Sequence, residues 1–462
     1  MLVKLFPSLE NNKVIALLNK FLYSYYYLAF IALLTALSCL FGFEIITYYL
    51  YVLFGGILPC LFSKDMTSIF APLGMAYSSV SLRTKDSTAH KTLFGAQMYH
   101  LYILLVLIVL FVGGRLIFDL ITNKERRCYR PRLMIGYIVF GLALIFGGVG
   151  SPYYSSRDFI FGLVEFLALA GSYFILMYII EWKDIKKDYY AYLVLFYGLA
   201  LVIEVFVIRF TNGGAAIRTG WGINNNIAGQ LCICLAGPIY LALKKKWAPI
   251  YLISEGFILL AVGLTNSRDG CLMGTIICVA SLVIFYIKVD NKKRIQASII
   301  GILAISSFLA FTFIFMDTFI VTFSGLFNRR SGAFSLNGRQ IIWHNGYEQF
   351  LSNPSFGVGW YQCTFGRSDY FAYSFVPGRY HNTFFQIIAS TGLFGLTGYI
   401  IHRYQTIRMA FKKPTFEKTF IFISILGLLL TSIFDCHFFN LGPGLNYCIA
   451  LAFLEGMNIA SN

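Results

Sequence analysis

Arg218 lies in AIRTGWGINNN, Arg268 in TNSRDG and Arg339 in NGRQIIW, each among glycine, asparagine or tryptophan rather than in a basic run. A guanidinium keeps its charge at any accessible pH and offers forked donors that match two oxygens of a phosphate. Three of them converging would hold a phosphate or pyrophosphate. Taken singly, an arginine at a membrane boundary also has a plainer use, snorkelling to the lipid headgroups. His381, followed by Asn382, is the best acid–base candidate, because an imidazole titrates near neutrality and can take a proton from a hydroxyl. Its alternative is a capping or interfacial histidine at a helix start. His344 and His402 are weaker candidates, and His437, close to Asp435, is held in reserve.

Carboxylates are scarce around these residues: Asp158, Asp269, Glu348, Asp369 and Asp435, with Asp317 near a helix end. No two have the spacing that holds a divalent cation by oxygens. The ten cysteines form no CxxC pair and no Cys/His ligand pattern. Cys271, Cys363 and Cys436 read as free thiols rather than as a disulfide. The expectation is therefore a site without metal or cofactor, with arginines in the place of a cation. No P-loop, nucleophile elbow, HExxH or dinucleotide fingerprint occurs.

The elements that position these residues are membrane helices. Apolar residues make up 58% of the 462 and charged residues 13%, with a mean hydropathy of +0.70. A soluble chain of this length needs far more charge to cover its surface. Apolar stretches of about 20 residues recur, each long enough to cross a bilayer core. They lie near 21–41, 43–62, 66–82, 97–121, 133–150, 159–181, 190–211, 226–243, 248–265, 271–288, 297–323, 382–402, 417–435 and 442–459. The third is the weakest, being short and interrupted by Pro72 and Gly74; it is kept for the parity of the topology.

The formal charge of +16 is spread over short loops, which speaks against nucleic acid and for the positive-inside bias. Arg126–Arg132, Lys183–Lys187, Lys244–Lys246, Lys292–Arg294 and Arg403–Lys413 fall in alternate loops, so all can be cytoplasmic together with the N-terminal lysines. The first helix reads as retained rather than as a removed signal peptide. The opposite loops are then 151–158, 212–225, 266–270, 324–381 and 436–441, and Arg218, Arg268, Arg339 and His381 fall in or beside them. The organisation expected is a bundle over 1–323, a large extracytoplasmic loop over 324–381, and further helices of the same domain over 382–462. Within the loop, 3–4 spacing of Ile341, Ile342, Tyr347, Phe350 and Leu351 predicts an amphipathic helix near the bilayer surface, ended by Asn353-Pro354. Arg115 and Asp119, four apart, read as a structural pair; Glu204 and Arg209 could pair as well. Glu165, Glu204 and Glu255 are costly to bury and could mark a pathway.

NGRQIIWHNGYEQFLSNPSFGVGW and, after an insertion, RYHNTFFQIIASTGLFGL together resemble the signature region of the O-antigen ligase and polymerase superfamily. TNSRDG resembles its serine-arginine-glycine helix mouth, with Asp269 intervening, and Arg218 before INNNIAG its other arginine motif. The resemblance covers about a quarter of the chain. It implies an all-α membrane glycosyltransferase of the GT-C-like type, with about 14 (12–14) transmembrane helices and one large extracytoplasmic loop carrying short amphipathic helices. Its substrate would be an undecaprenyl-pyrophosphate-linked glycan donor. Arg268, Arg339 and Arg218 would bind the pyrophosphate, His381 would orient or deprotonate the acceptor hydroxyl, Asn382 would support it, and Trp343 and Asn225 would help bind substrate. The acceptor would be a second lipid-linked repeat unit (a polymerase) or a lipid A-core (a ligase). Polymerisation is favoured because nothing in the sequence points to a lipid A partner. Membrane lipids and a chain-length regulator protein are further expected partners. The location implied is the bacterial inner membrane, with the site on the periplasmic side. A lipid-linked oligosaccharide flippase is the alternative of another class, but its charged groups would be expected along a central path rather than at one face.

Overall fold

The computed structural model describes residues 1, 11–76, 98–211, 224–314, 316, 339–363 and 378–460. Those residues are helical and contain no strand. The helices are α1 (Lys13–Leu22), α2 (Tyr25–Phe41), α3 (Glu44–Phe62), α4 (Phe70–Met75), α5 (Tyr99–Thr122), α6 (Met134–Phe146), α7 (Ser156–Ile179) and α8 (Tyr189–Arg209). They continue with α9 (Asn225–Lys244), α10 (Ala248–Leu264), α11 (Arg268–Lys288), α12 (Asn291–Ile314), α13 (Arg339–Ser352), α14 (Thr383–Phe411), α15 (Phe416–Thr431) and α16 (Leu441–Ala460). Among the described residues eight helices are long and apolar enough to cross a membrane, or nine if α1 and α2, bent by 67°, form one span. The protein is thus a multi-pass membrane protein. Each apolar stretch read from the sequence overlaps a helix, although residues 77–82 of the third lie outside the described residues.

Local chemistry sets the helix ends. Ser24 caps α2 by accepting from the Tyr27 amide, and Gly42 ends it in the left-handed conformation. Ser155 and Asp158 form a capping box at the start of α7. Burial ranks the helices by place in the bundle: 94% of the α9 window is buried, against 6% for α12, so α9 is central and α12 meets lipid nearly all round.

The basic loops meet at one end of the bundle. Lys183 lies 3.9 Å from Glu125, Lys244 lies 3.6 Å from Glu417, and Lys293 donates to the Leu243 carbonyl at 2.8 Å. Lys245 pairs with Asp188, and Arg132 donates its amide to Glu455 at 2.8 Å. Arg115 and Asp119 form the expected pair at 2.9 Å, fully buried, and do more than join neighbouring turns of α5. Arg115 also donates to the Ser63 carbonyl at 3.0 Å, while Asp119 accepts from Arg126 at 2.7 Å. The two charges are therefore saturated by partners on α5, in the chain after α3 and in the segment after α5, the condition under which buried ions are tolerated. Glu204 and Arg209 do not pair: neither Glu204 carboxylate oxygen meets the Arg209 guanidinium, because five residues along a helix put the two side chains on different faces. The described parts of the loops opposite the basic ones meet at the other end, the site end.

Candidate functional site

Asn353-Pro354-Ser355-Phe356-Gly357-Val358-Gly359-Trp360 is a plug that enters the site end and splits α14. At Gly392 the helix breaks, with φ of 63°. The exposed backbone groups on either side are taken up by the plug: Val358 donates to Ala389 O at 2.8 Å, Gly359 to Ser390 O at 3.2 Å, and Leu393 to Pro354 O at 2.8 Å. Gly357, at φ of 70°, lies so close that an added Cβ would fall 2.5 Å from the Ala389 carbonyl oxygen. Both glycines are thus needed for a positive φ and for backbone-to-backbone contact. Trp360 is fully buried and donates through Nε1 to Leu144 O at 3.0 Å. Asp158 receives the Trp360 amide at 2.6 Å, so this carboxylate is spent on structure.

The break turns the first part of α14 into a short half-helix whose entry carries the histidine. Asn382 caps it, its Oδ1 accepting from Phe384 N at 2.8 Å and Phe385 N at 3.1 Å, while its Nδ2 donates to Ile433 O at 2.8 Å. His381 precedes the cap with φ of 51°, a left-handed conformation that costs a non-glycine residue about 1–2 kcal/mol. What holds it there is a partner. His381 Nδ1 lies 3.2 Å from Asp435 Oδ1, with the imidazole 34% exposed and the carboxylate 5%. Asp435 Oδ2 accepts from Asn225 Nδ2 at 3.1 Å and Oδ1 from the Cys436 amide at 2.7 Å. Burial alone would push this carboxyl up; the His381 bond, the His437 charge and the Cys436 amide outweigh it and hold it well below the usual carboxylate range. Asp435 is therefore ionised, and Nδ1 carries the imidazole proton toward it. Nε2 is then the nitrogen left to accept one.

His437 sits at the middle of this neighbourhood, fully buried, with neither ring nitrogen hydrogen-bonded. Burial pushes its imidazole down, against the pull of Asp435 and Asp269 and with the push of Arg339 and His381. Its surroundings show that α11, α13, α14 and the turn after α15 come together here. Arg268 is the first residue of α11, half-buried beside Asp269, whose Oδ1 accepts from the Ser267 hydroxyl at 2.6 Å. Gly270 allows this helix mouth to press on α9: a Cβ there would lie 2.5 Å from that of Ala228. Arg339 is the half-buried first residue of α13.

Of the residues singled out in the sequence, His381, Asn225, Arg339 and the Arg268–Asp269 mouth are thus gathered at one end. Trp343, half-buried, supports the backbone beside His381. Its Nε1 donates to the Tyr380 carbonyl at 3.0 Å and its ring stacks on Phe385 at 5.6 Å, so it pins the backbone just before His381. Helix α13 forms where its spacing predicts, but Ile342 and Gly346 face the protein against Tyr380 while Ile341, Tyr347 and Leu351 are exposed. His344 faces Glu348 on the surface at 4.0 Å, and His402 is buried on Tyr447 at 2.9 Å. Arg218, Asp317 and Asp369 lie outside the described residues, as does much of the 324–381 loop.

Two residues escape the sequence reading. Asp435 appears there as one of several carboxylates and as a neighbour of His437, with no local spacing to tie it to a histidine 54 positions earlier. Arg379 stands two residues before His381 and is a further arginine at the site end, 3.4 Å from Glu165. Its position outside the basic loops was the available signal.

Fold and site together define an all-helical, multi-pass membrane protein whose polar groups converge at the end opposite its basic loops. The family model described as O-Antigen ligase (Wzy_C) matches residues 256–400, about a third of the chain, so that stretch is similar to the O-antigen ligase family. It takes in Arg268, Arg339, Trp343, His381 and Asn382; Asn225, Asp435 and His437 lie outside it. No curated protein matches the chain.

Proposed function

We propose that this protein polymerises undecaprenyl-pyrophosphate-linked oligosaccharide repeat units into a surface polysaccharide, by a metal-independent, inverting glycosyl transfer. The observation that carries this reading is the Asp435–His381 pair, 3.2 Å apart, in one neighbourhood with Arg339 and the Arg268 helix mouth. The acceptor hydroxyl oxygen attacks the anomeric carbon of the donor sugar. Its proton passes to His381 Nε2, while Asp435 steadies the imidazolium that results. The bond from the anomeric carbon to the pyrophosphate oxygen breaks, and its electron pair leaves with the pyrophosphate. Arg268, Arg339 and Arg218 neutralise the developing charge. Because no carboxylate among the described residues is an evident covalent nucleophile, a single displacement is the natural course. Product of retained anomeric configuration would rule it out.

In this reading the chain crosses a bacterial inner membrane about fourteen times in a GT-C-like bundle. Residues 1–323 and 382–462 form the bundle, and 324–381 its periplasmic loop. The alternation of basic loops supports this orientation. A chain-length regulator protein is a fitting partner.

The second reading is a ligase that moves the glycan to lipid A-core or another envelope acceptor, and the O-antigen ligase family match favours it. Reconstitution with the lipid-linked repeat unit as the only substrate separates the two. A ladder of products supports polymerisation. Reaction only after a foreign acceptor is added makes the protein a ligase.

A further inference from the structure

Arg379 and His381 grip opposite ends of one turn. His381 holds Asp435 at its start, while Arg379 Nη2 donates to the Phe439 carbonyl at 3.0 Å at its end. The same Nη2 lies 3.4 Å from Glu165 Oε1 on α7, and the guanidinium stands over the rings of Phe161 at 5.3 Å and Phe439 at 5.9 Å. Its side chain is 13% exposed and that of Glu165 11%. Nε and Nη1 of Arg379 are buried and have no hydrogen-bond partner.

A guanidinium whose remaining N–H groups are shielded from water and unbonded is unfavourable as it stands, and an oxyanion that reached it would meet little competing solvent. Glu165 cannot satisfy those groups, because it lies toward Nη2, the nitrogen already bonded to Phe439. Glu165 and the two aromatic rings instead fix the guanidinium in place. We propose that Arg379 is a further anion-binding residue of the site, its free N–H groups receiving an oxygen of the lipid-linked pyrophosphate. This rests on the pyrophosphate donor of the preceding reading and adds a residue to it.

The competing role is a structural strap between α7 and the 437–439 turn, and Glu165 separates the two. An anion-binding Arg379 is weakened for its ligand by Arg379→Gln but not by Glu165→Gln, which removes a competing negative charge. A strap is loosened by either substitution. Binding of sugar-free undecaprenyl pyrophosphate is measured to the protein in lipid nanodiscs, with undecaprenol as the uncharged control and thermal unfolding to confirm folding. R379Q is expected to weaken binding by about tenfold or more. R379K, which keeps the charge but not the fork, falls between, and E165Q binds as tightly as the native protein or tighter. Should R379Q fail to fold, R379K and E165Q decide by the same ordering. Equal affinity of R379Q (or of R379K, where it decides) and native protein overturns the proposal, as does equal weakening by R379Q and E165Q. Native protein that binds the pyrophosphate lipid no better than undecaprenol overturns the donor reading itself.

Discussion

At the scale of single residues, the site depends on an imidazole with one nitrogen committed and one left over. Replacing His381 by Ala should lower the turnover rate by roughly 10²–10⁴ while leaving donor affinity nearly unchanged, measured as single-turnover rate against lipid-donor Kd. Unextended lipid-linked units should still be accessible on the outer leaflet; if they stay on the inner leaflet, transport becomes the better account. Asp435→Asn should cost on the order of 10²-fold or more, because the amide neither fixes the Nδ1–H tautomer nor balances the imidazolium. The pH dependence has a definite sign. The Asp435 carboxyl is held below its ordinary value, so its stabilising contribution is present above the unfolded carboxylate range and fades only as pH falls through the depressed folded value. The gap in unfolding temperature between native protein and D435N should therefore not shrink from pH 8 to pH 5. The types of these residues were open to sequence reading: a histidine beside an asparagine, and arginines among glycines. Their partners were not, because His381 meets Asp435, and Asp435 meets Asn225, only through contacts that no local spacing encodes.

At the scale of elements, the informative feature is a helix broken on purpose. A continuous α14 would carry His381 along a straight rod. The break at Gly392 instead lets the plug hydrogen-bond into the gap and gives the first half-helix its own orientation. Gly357→Ala or Gly392→Ala should destabilise the protein by about 2 kcal/mol or more, since each adds a Cβ in left-handed backbone and against neighbouring main chain. Thermal unfolding in detergent measures the loss, and activity should fall with it because His381 hangs on the same half-helix. Pro354 and the glycines of the plug mark a turn in the sequence. That the turn lies inside another helix could not be read there, since periodicity reports which face of a helix is apolar and not what interrupts it.

At the scale of the whole molecule, the basic loops lie together at one end and the candidate residues at the other, so a single orientation in the membrane serves both. Cys128, exposed near Arg126 and Arg127, should react with a membrane-impermeant maleimide only in inverted vesicles. A cysteine at Tyr153, which is 60% exposed at the site end, should react only from the opposite side. Labelling of both from one side would overturn the proposed topology. The sequence by itself determined that the chain is a helical membrane protein, where its apolar stretches fall, and which loops share a side. Those properties follow from composition and the lengths of apolar runs, which the bilayer reads directly. Tertiary structure alone decided that Asp435 serves His381, that Trp343 and Trp360 are supports, that Glu165 belongs to Arg379, and that Glu204 and Arg209 do not pair. Those outcomes depend on which helix faces meet, and the inter-helix contacts that choose them join residues far apart along the chain.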